Sequence, residues 1–335
     1  MKNTYAEAGV DINAKAGAIK RIGQLAKATF RPEVLADVGL FGSMFEFKGY
    51  QTPVIVSSVD GVGTKLKIAI NLGLYDTVGY DIVNHCVNDI FTCGAEPLFF
   101  LDYIGIGKVV PDKTVSIVEG MANACKSVGC SLIGGEIAEM PDVYTGNDYD
   151  LVGFITGVVE KDRIINGSTI QPGDTIIGLP SSGLHTNGYT LVRKVLGETP
   201  NELNQHYSEL GRTLGEELLE PHRCYYNVLK PFLPFIKGMA HITGGGLLDN
   251  VPRILPEGVT AEFDSSKWSV LPVFDLIQKR GNIDVMEMYH VFNMGIGMTV
   301  FCAPHNAEQI LSGISDARVI GTVTELRNNQ RVIIR

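Results

Sequence analysis

The stretch DGVGTK, Asp60–Lys65, places a carboxylate directly in front of two glycines, a threonine and a lysine. A glycine turn lets backbone N–H groups approach an anion, and a lysine adds a point charge beside it. The spacing is neither G-x-x-x-x-G-K-[ST] nor G-x-G-x-x-G, so neither a P-loop nor a dinucleotide-binding turn is signalled. Asp60 repels phosphate on its own, but it can hold phosphate through Mg²⁺, which takes carboxylate and phosphate oxygens together. A plain strand-to-helix turn with an aspartate cap satisfies the same residues. Residues 79–92 offer a second group: Ile82, Val83, Cys86, Val87, Ile90 and Phe91 make an apolar stripe at helical spacing. Asp81, Asn84, His85, Asn88 and Asp89 take the polar side. Two further acids, Asp102 and Glu136, interrupt or end apolar strands, where hard cations collect in α/β proteins. Further along, SSGLHTNG (181–188) and HITGGGL (241–247) are glycine loops able to cradle a phosphate from N–H and O–H donors. His185 there can move protons near neutral pH. G-x-S-x-G is absent, so Ser182 and His185 are not read as a nucleophilic pair, and His241 reads as structural.

The elements that position these groups alternate. A helix over 11–29 is followed by a strand at Thr52–Val59, a helix at 79–92 and a strand at Leu98–Ile104. A helix around 112–128, a short strand SLIGGE stopping at its glycine pair, and a strand at Asp150–Glu160 complete the first half. The turn-rich KDRIINGSTIQPGD (161–174) marks a boundary, giving domains 1–165 and 166–335. After it come a strand TIIGLP, a helix through Leu191, Val192 and Val195, and two helices near 207–236. The chain closes with strand MGIGMTVFCA, helix HNAEQILSGI and strand ARVIGTVTEL. The class is α/β or α+β with two domains.

Composition narrows the partners. The chain has 335 residues, with 28 Lys and Arg against 37 Asp and Glu, and neither half is basic, which weighs against a nucleic-acid partner. Cysteines at 86, 93, 125, 130, 224 and 302 form no CxxC pair, so they read as free thiols in a reducing compartment. MKNTYAEAG carries no apolar leader core and no run reaches a membrane span, so a cytoplasmic protein without a membrane partner is expected.

In order along the chain, YAEAGVDI, RPEV, DGVGTK, VND (Val87–Asp89), GAEPLFFLDY, GGE-AEMP, DYD, GVVEK, SSG-H-NGY-LVRK, AHITGGGL and MGIGM resemble the phosphoribosylformylglycinamidine cyclo-ligase family, also called aminoimidazole ribonucleotide synthetases. The resemblance covers nearly the whole chain. It implies ATP-dependent cyclisation of formylglycinamidine ribonucleotide to aminoimidazole ribonucleotide, with ADP and phosphate released, in purine biosynthesis. It implies a two-domain fold whose N-terminal strands join a partner's in an intersubunit barrel of a homodimer, with a C-terminal α/β domain. It implies that Asp60, Gly61, Gly63, Thr64 and Lys65 hold ATP, and that Mg²⁺ sits on Asp60 and Asp89 with Glu136 and Asp102 as further ligands. Ser182, Gly183, His185, Asn187, Gly244, Gly245 and Gly246 become the substrate-side loops, with His185 and Lys65 catalytic. The chain departs from the family pattern at Ile137 and His222, where threonine is usual, and at Gly23, where lysine often falls. Two alternatives stay open: a thiamine-monophosphate-kinase-like phosphotransferase and a non-catalytic nucleotide-binding homologue. Selenophosphate synthetases fit less well, since residues 1–85 hold no cysteine.

Overall fold

The computed structural model describes residues 12–35 and 41–335, so the YAEAGVD part of the N-terminal motif lies outside the described residues. The chain divides into two compact units, 1–90 with 96–160, and 91–95 with 161–335. The break follows Glu160 rather than Ile165. Its reason is local: the last strand of the first unit ends at Glu160, and the Ile165 N–H donates to the Cys93 carbonyl inside the second unit.

The first unit runs α1 (Ile12–Lys27), β1 (Pro53–Gly61), α2 (Leu66–Leu72), α3 (Asp76–Phe91), β2 (Glu96–Ile106), α4 (Pro111–Ser127), β3 (Ser131–Glu139) and β4 (Tyr149–Glu160). Its sheet has the order β1-β4-β2-β3, antiparallel except for the β2–β3 pair. β3 runs on through Gly134 and Gly135 to Glu139, longer than SLIGGE suggests. The eleven-residue β2 offers it partners as far as Ile106. Gly135 also suits the ladder because a Cβ there would sit 2.3 Å from the Asp102 carboxylate.

In β1 the side chains alternate as a half-buried strand requires: Ile55 and Val59 are exposed, while Ser58 and Asp60 turn inward. The inward face meets α3, since a Cβ at Gly153 would strike Ile82 and one at Gly157 would strike Ile90. The opposite face leaves Ile55, Val59 and Phe154 in the open, with Val59 and Phe154 paired across β1 and β4.

The turn after β1 is fastened to α3 from below. Gly63 adopts φ +71°, a left-handed conformation that costs glycine nothing, and a tight turn over Gly63–Lys65 follows. That turn sends Lys65 inward, where its Nζ lies 2.9 Å from Asp81 Oδ1 and 2.8 Å from Oδ2, both side chains fully buried. A lysine buried without a partner would lose its charge, so Asp81 is what permits this path.

The second unit runs β5 (Thr175–Pro180), α5 (Tyr189–Leu196), α6 (Pro200–Leu203), β6 (His206–Tyr207), β7 (Arg212–Thr213), α7 (Leu214–Leu218), α8 (Tyr226–Leu229), β8 (Ile236–His241), α9 (Gly246–Asn250), β9 (Val259–Phe263), α10 (Pro272–Gly281), α11 (Val285–Val291), β10 (Ile296–Cys302), α12 (Pro304–Gly313), β11 (Arg318–Glu325) and β12 (Val332–Ile334). Its six-stranded sheet is ordered β12-β9-β11-β5-β10-β8, parallel only between β12 and β9. β10 is buried along its whole length. The two helices expected near 207–236 shrink to α7 and α8. Gly211, at φ +69°, turns the β6–β7 hairpin, and Pro231 and Pro234 hold 230–235 in 3-10 turns.

Breaking the Lys65–Asp81 pair from one side should be costly. Asp81→Ala is expected to lower unfolding stability in urea by about 3–5 kcal/mol, whereas Lys65→Met with Asp81→Leu should lose markedly less.

Candidate functional site

One face of α3 receives the whole end of β1. Asp81, His85 and Asp89 follow at i, i+4 and i+8, so all three project from one stripe of the helix. Asp81 takes Lys65, as above. His85 Nε2 lies 3.0 Å from Asp60 Oδ2 and 3.8 Å from Asp89 Oδ2. The Ser58 hydroxyl donates to Asp89 Oδ2 at 3.2 Å, and the Gly61 N–H donates to Asp60 Oδ1 at 2.8 Å. Asp60 and Asp89 thus converge, half-exposed, around a buried imidazole.

The electrostatics favour charge here. Burial opposes ionisation of Asp60, but the His85 hydrogen bond and charge, with the Gly61 N–H, hold its carboxyl below the usual range. Burial likewise opposes the His85 imidazolium. The Asp60 hydrogen bond and the charges of Asp89, Asp60 and Asp81 nonetheless raise it above its ordinary value.

The other two expected ligands stand apart. Asp60 pairs with Gly153, Gly153 with Asp102, and Asp102 with Gly135, a single row across the sheet. Asp102 is therefore two strand spacings from Asp60, about 10 Å along the sheet. It lines a cavity of about 280 Å³ with Glu136, Ile137 and the α1 residues Ala18, Ile22 and Ala26. Burial, aided by the Glu136 charge and opposed by a backbone hydrogen bond, pushes the Asp102 carboxyl up to about 7. The four expected ligands do not come together: Asp60 and Asp89 face His85, while Asp102 and Glu136 line the cavity further along the sheet. Lys65 also departs from expectation. Its ammonium is buried against Asp81, so in this conformation it shapes the turn instead of facing a phosphate.

In the second unit, two asparagines clamp the two glycine loops. Asn293 accepts from the Ser181 hydroxyl and donates to the Gly183 carbonyl, both at 2.9 Å. Asn250 donates to the carbonyls of Gly244 and Gly246 at 3.1 and 2.8 Å. Gly246, at φ +58°, has no room for a side chain, since a Cβ would sit 1.9 Å from the Tyr289 carbonyl. The loops meet where Asn187 lies against Gly244. The Ser182 hydroxyl donates to the Pro221 carbonyl at 2.6 Å, and its N–H donates to His185 Nε2 at 3.2 Å. Of the substrate-side residues, Gly183 and His185 are buried, while Ser182 and Asn187 are partly open and Gly244 is exposed.

Comparison with known proteins bears on the same segments. Residues 48–159 match the model of the AIR synthase related protein N-terminal domain, and residues 171–334 match that of its C-terminal domain. The chain is 49% identical over 334 residues to the phosphoribosylformylglycinamidine cyclo-ligase of Geobacillus kaustophilus, covering 97% of this chain and 96% of that protein. It is 50% identical over 328 residues to the enzyme of the same name from Acetivibrio thermocellus, covering 96% of each. This chain belongs to the phosphoribosylformylglycinamidine cyclo-ligase family. Among solved structures, thiamine-monophosphate kinase from Stenotrophomonas maltophilia superposes with a TM-score of 0.67 at 16% identity, over 94% of this chain and 95% of that one. The hydrogenase maturation protein HypE in complex with ATP gives 0.67 at 16% identity, over 98% and 93%. At that identity the likeness is one of fold, so the cyclo-ligase family, not the kinases, is where the chain stands.

Several positioning residues of this cyclo-ligase-family chain carry weak sequence signals. His85 was visible through its i, i+4 spacing to Asp89. Asn250 and Asn293 look like ordinary loop asparagines until the folded backbone presents carbonyls to them.

The raised Asp102 carboxyl makes stability depend on pH. A carboxyl raised in the folded state favours the protonated protein. Its contribution is therefore present at low pH and lost as pH climbs from the unfolded value near 4 through about 7. Asp102→Asn should remove that loss, leaving thermal stability flatter between pH 5 and 8 and raising it at pH 8 by about 2–4 kcal/mol.

Proposed function

We propose that this chain closes the imidazole ring of aminoimidazole ribonucleotide, using ATP to activate the formyl oxygen of formylglycinamidine ribonucleotide. The observation that carries the reading is identity near 50% with cyclo-ligases over almost the full length of both chains. A carbonyl oxygen leaves poorly and phosphate leaves well. The formyl oxygen therefore attacks the γ-phosphorus as the formamide nitrogen gives up its proton, and ADP departs. The amidine nitrogen then attacks the activated carbon, phosphate leaves, and the nitrogen gives up a proton.

Asp60 and Asp89, with the Ser58 hydroxyl between strand and helix, form an all-oxygen donor set that suits Mg²⁺. When bound there, Mg²⁺ neutralises phosphate charge and orients the γ-phosphoryl group. His85 fixes the direction in which the Asp60 carboxylate presents its oxygens. The exposed Gly63–Thr64 end of the turn offers its backbone to the ATP phosphates, while the Gly61 and Val62 N–H groups already donate to Asp60 and the Leu151 carbonyl. Asn187 and the Gly244–Gly245 turn hold the substrate's ribose phosphate through amide and N–H donors, and Ser182, Gly183 and Gly246 shape the loops behind them. His185 takes the proton released on ring closure at Nε2, giving up the Ser182 N–H that occupies that nitrogen in this structure.

Asp60→Asn and Asp89→Asn should each cut formylglycinamidine-ribonucleotide-dependent phosphate release at least 100-fold, an effect of the size seen when a preorganised charge is removed. Unchanged turnover would remove both residues from the site. ATP binding without any substrate-dependent phosphate release in the wild type would favour a nucleotide-binding scaffold.

We propose further that the open face of the first unit's sheet is the homodimer surface, because Ile55, Val59 and Phe154 are exposed on it at 55%, 61% and 40%. Val59→Asp with Phe154→Asp should shift sedimentation from dimer to monomer, and a monomeric wild type would contradict the assignment.

A further inference from the structure

His185, His222 and His241 form a buried column of imidazoles in the second unit, each no more than 5% exposed. His241 ends β8, His222 lies in the segment before α8, and His185 sits in the loop between β5 and α5. The Nε2 atoms of His222 and His241 are 2.9 Å apart, so one carries the shared proton and the other accepts it. The His222 ring in turn stacks on His185, with centroids 3.9 Å apart and planes 21° from parallel.

His185 is constrained on its remaining sides. Its Nε2 accepts the Ser182 N–H, so the neutral ring carries its proton on Nδ1. Its edge abuts β10 at Gly297, where a Cβ would come 2.7 Å from His185 Cε1. Its backbone holds φ +63°, a left-handed conformation that a non-glycine residue keeps only when its surroundings enforce it. His222 covers one face of the ring.

We infer that His222 is a positioning residue: by stacking it fixes the plane of the His185 imidazole and so keeps Nε2 on the Ser182 N–H that sets the tautomer. This rests on the proposed role of His185 in taking the ring-closure proton. The segment does not depend on the His222 ring for its docking. Ser182 binds the Pro221 carbonyl, and Arg223 donates to the Pro180 carbonyl at 3.1 Å and pairs with Asp316 at 2.6 Å. Removing the ring should therefore loosen His185 without unfolding the loop.

Three imidazoles also form a donor set for a transition metal. The observed arrangement opposes that use. Nearly parallel stacked rings aim their in-plane lone pairs side by side rather than at one point, and the Ser182 N–H already engages His185 Nε2.

The test compares His222→Phe, which keeps a stacking ring, with His222→Asn, which keeps a polar group and loses the ring. His222→Asn should lower kcat about 10- to 100-fold with KM for both substrates unchanged, the scale expected when a reacting group is misplaced. His222→Phe should stay within about 3-fold of wild type by the same argument. Long-range ¹H–¹⁵N spectra of the histidines should show His185 as the Nδ1–H tautomer in the wild type and in His222→Phe. In His222→Asn they should show a mixture. Wild-type kcat together with an unchanged His185 tautomer in His222→Asn would overturn the inference. So would a Co²⁺ absorption band in chelator-treated protein that His222→Asn abolishes, which would make the column a metal site. His185→Asn separates the underlying reading: if its kcat is normal, His185 does not move the proton, while the spectra still decide what His222 does.

Discussion

Three contacts between β1 with its turn and one stripe of α3 organise the first unit. Asp81 takes Lys65 in the interior, while His85 takes Asp60 and Asp89 takes Ser58 where the carboxylates are partly exposed. The innermost contact is the strongest constraint, because two buried opposite charges cannot separate without stranding one of them. Once Lys65 is anchored, the path of Gly61–Thr64 is set. The carboxylates of Asp60 and Asp89 are then brought to the same imidazole.

The sheet explains why these acids do not merge with the others. A carboxylate on β1 and one on β2 are separated by β4, and Gly153 between them gives its side-chain space to Phe100 and Ile82. Asp60, beside His85 and a backbone N–H, is held ionised. Asp102, in a cavity beside another acid, is pushed toward its protonated form. Identical side chains in one row of one sheet thus receive opposite electrostatic treatment from what faces them.

Much of this was legible in the sequence. The strand TPVIVSSV, the α3 stripe, the helix near 112–128 and the alternation in both halves follow from period and β-branching, and the structure shows them within a few residues. The glycine loops were legible because a left-handed or crowded backbone leaves few alternatives. What escaped was long-range. Lys65 in DGVGTK reads as a phosphate-facing charge until Asp81, sixteen residues away, draws it inward. Asp102 and Asp60 read alike until the strand order separates them. β8, β9 and β12, and the clamp Asn293, have meaning only through partners far along the chain, while Asn250 closes on carbonyls a few residues before it. His222 was visible as an odd residue, but its ring contacts depend on two distant segments.

The proposed chemistry depends on Asp60 and Asp89 as the pair that would hold Mg²⁺ beside the nucleotide. A crystal structure of the protein with Mg²⁺ and a non-hydrolysable ATP analogue tests that most directly. The account predicts an ion about 2.1 Å from a carboxylate oxygen of each, with phosphate oxygens completing the shell. An ion bound instead by Asp102 and Glu136, with Asp60 and Asp89 left to His85 alone, would contradict it.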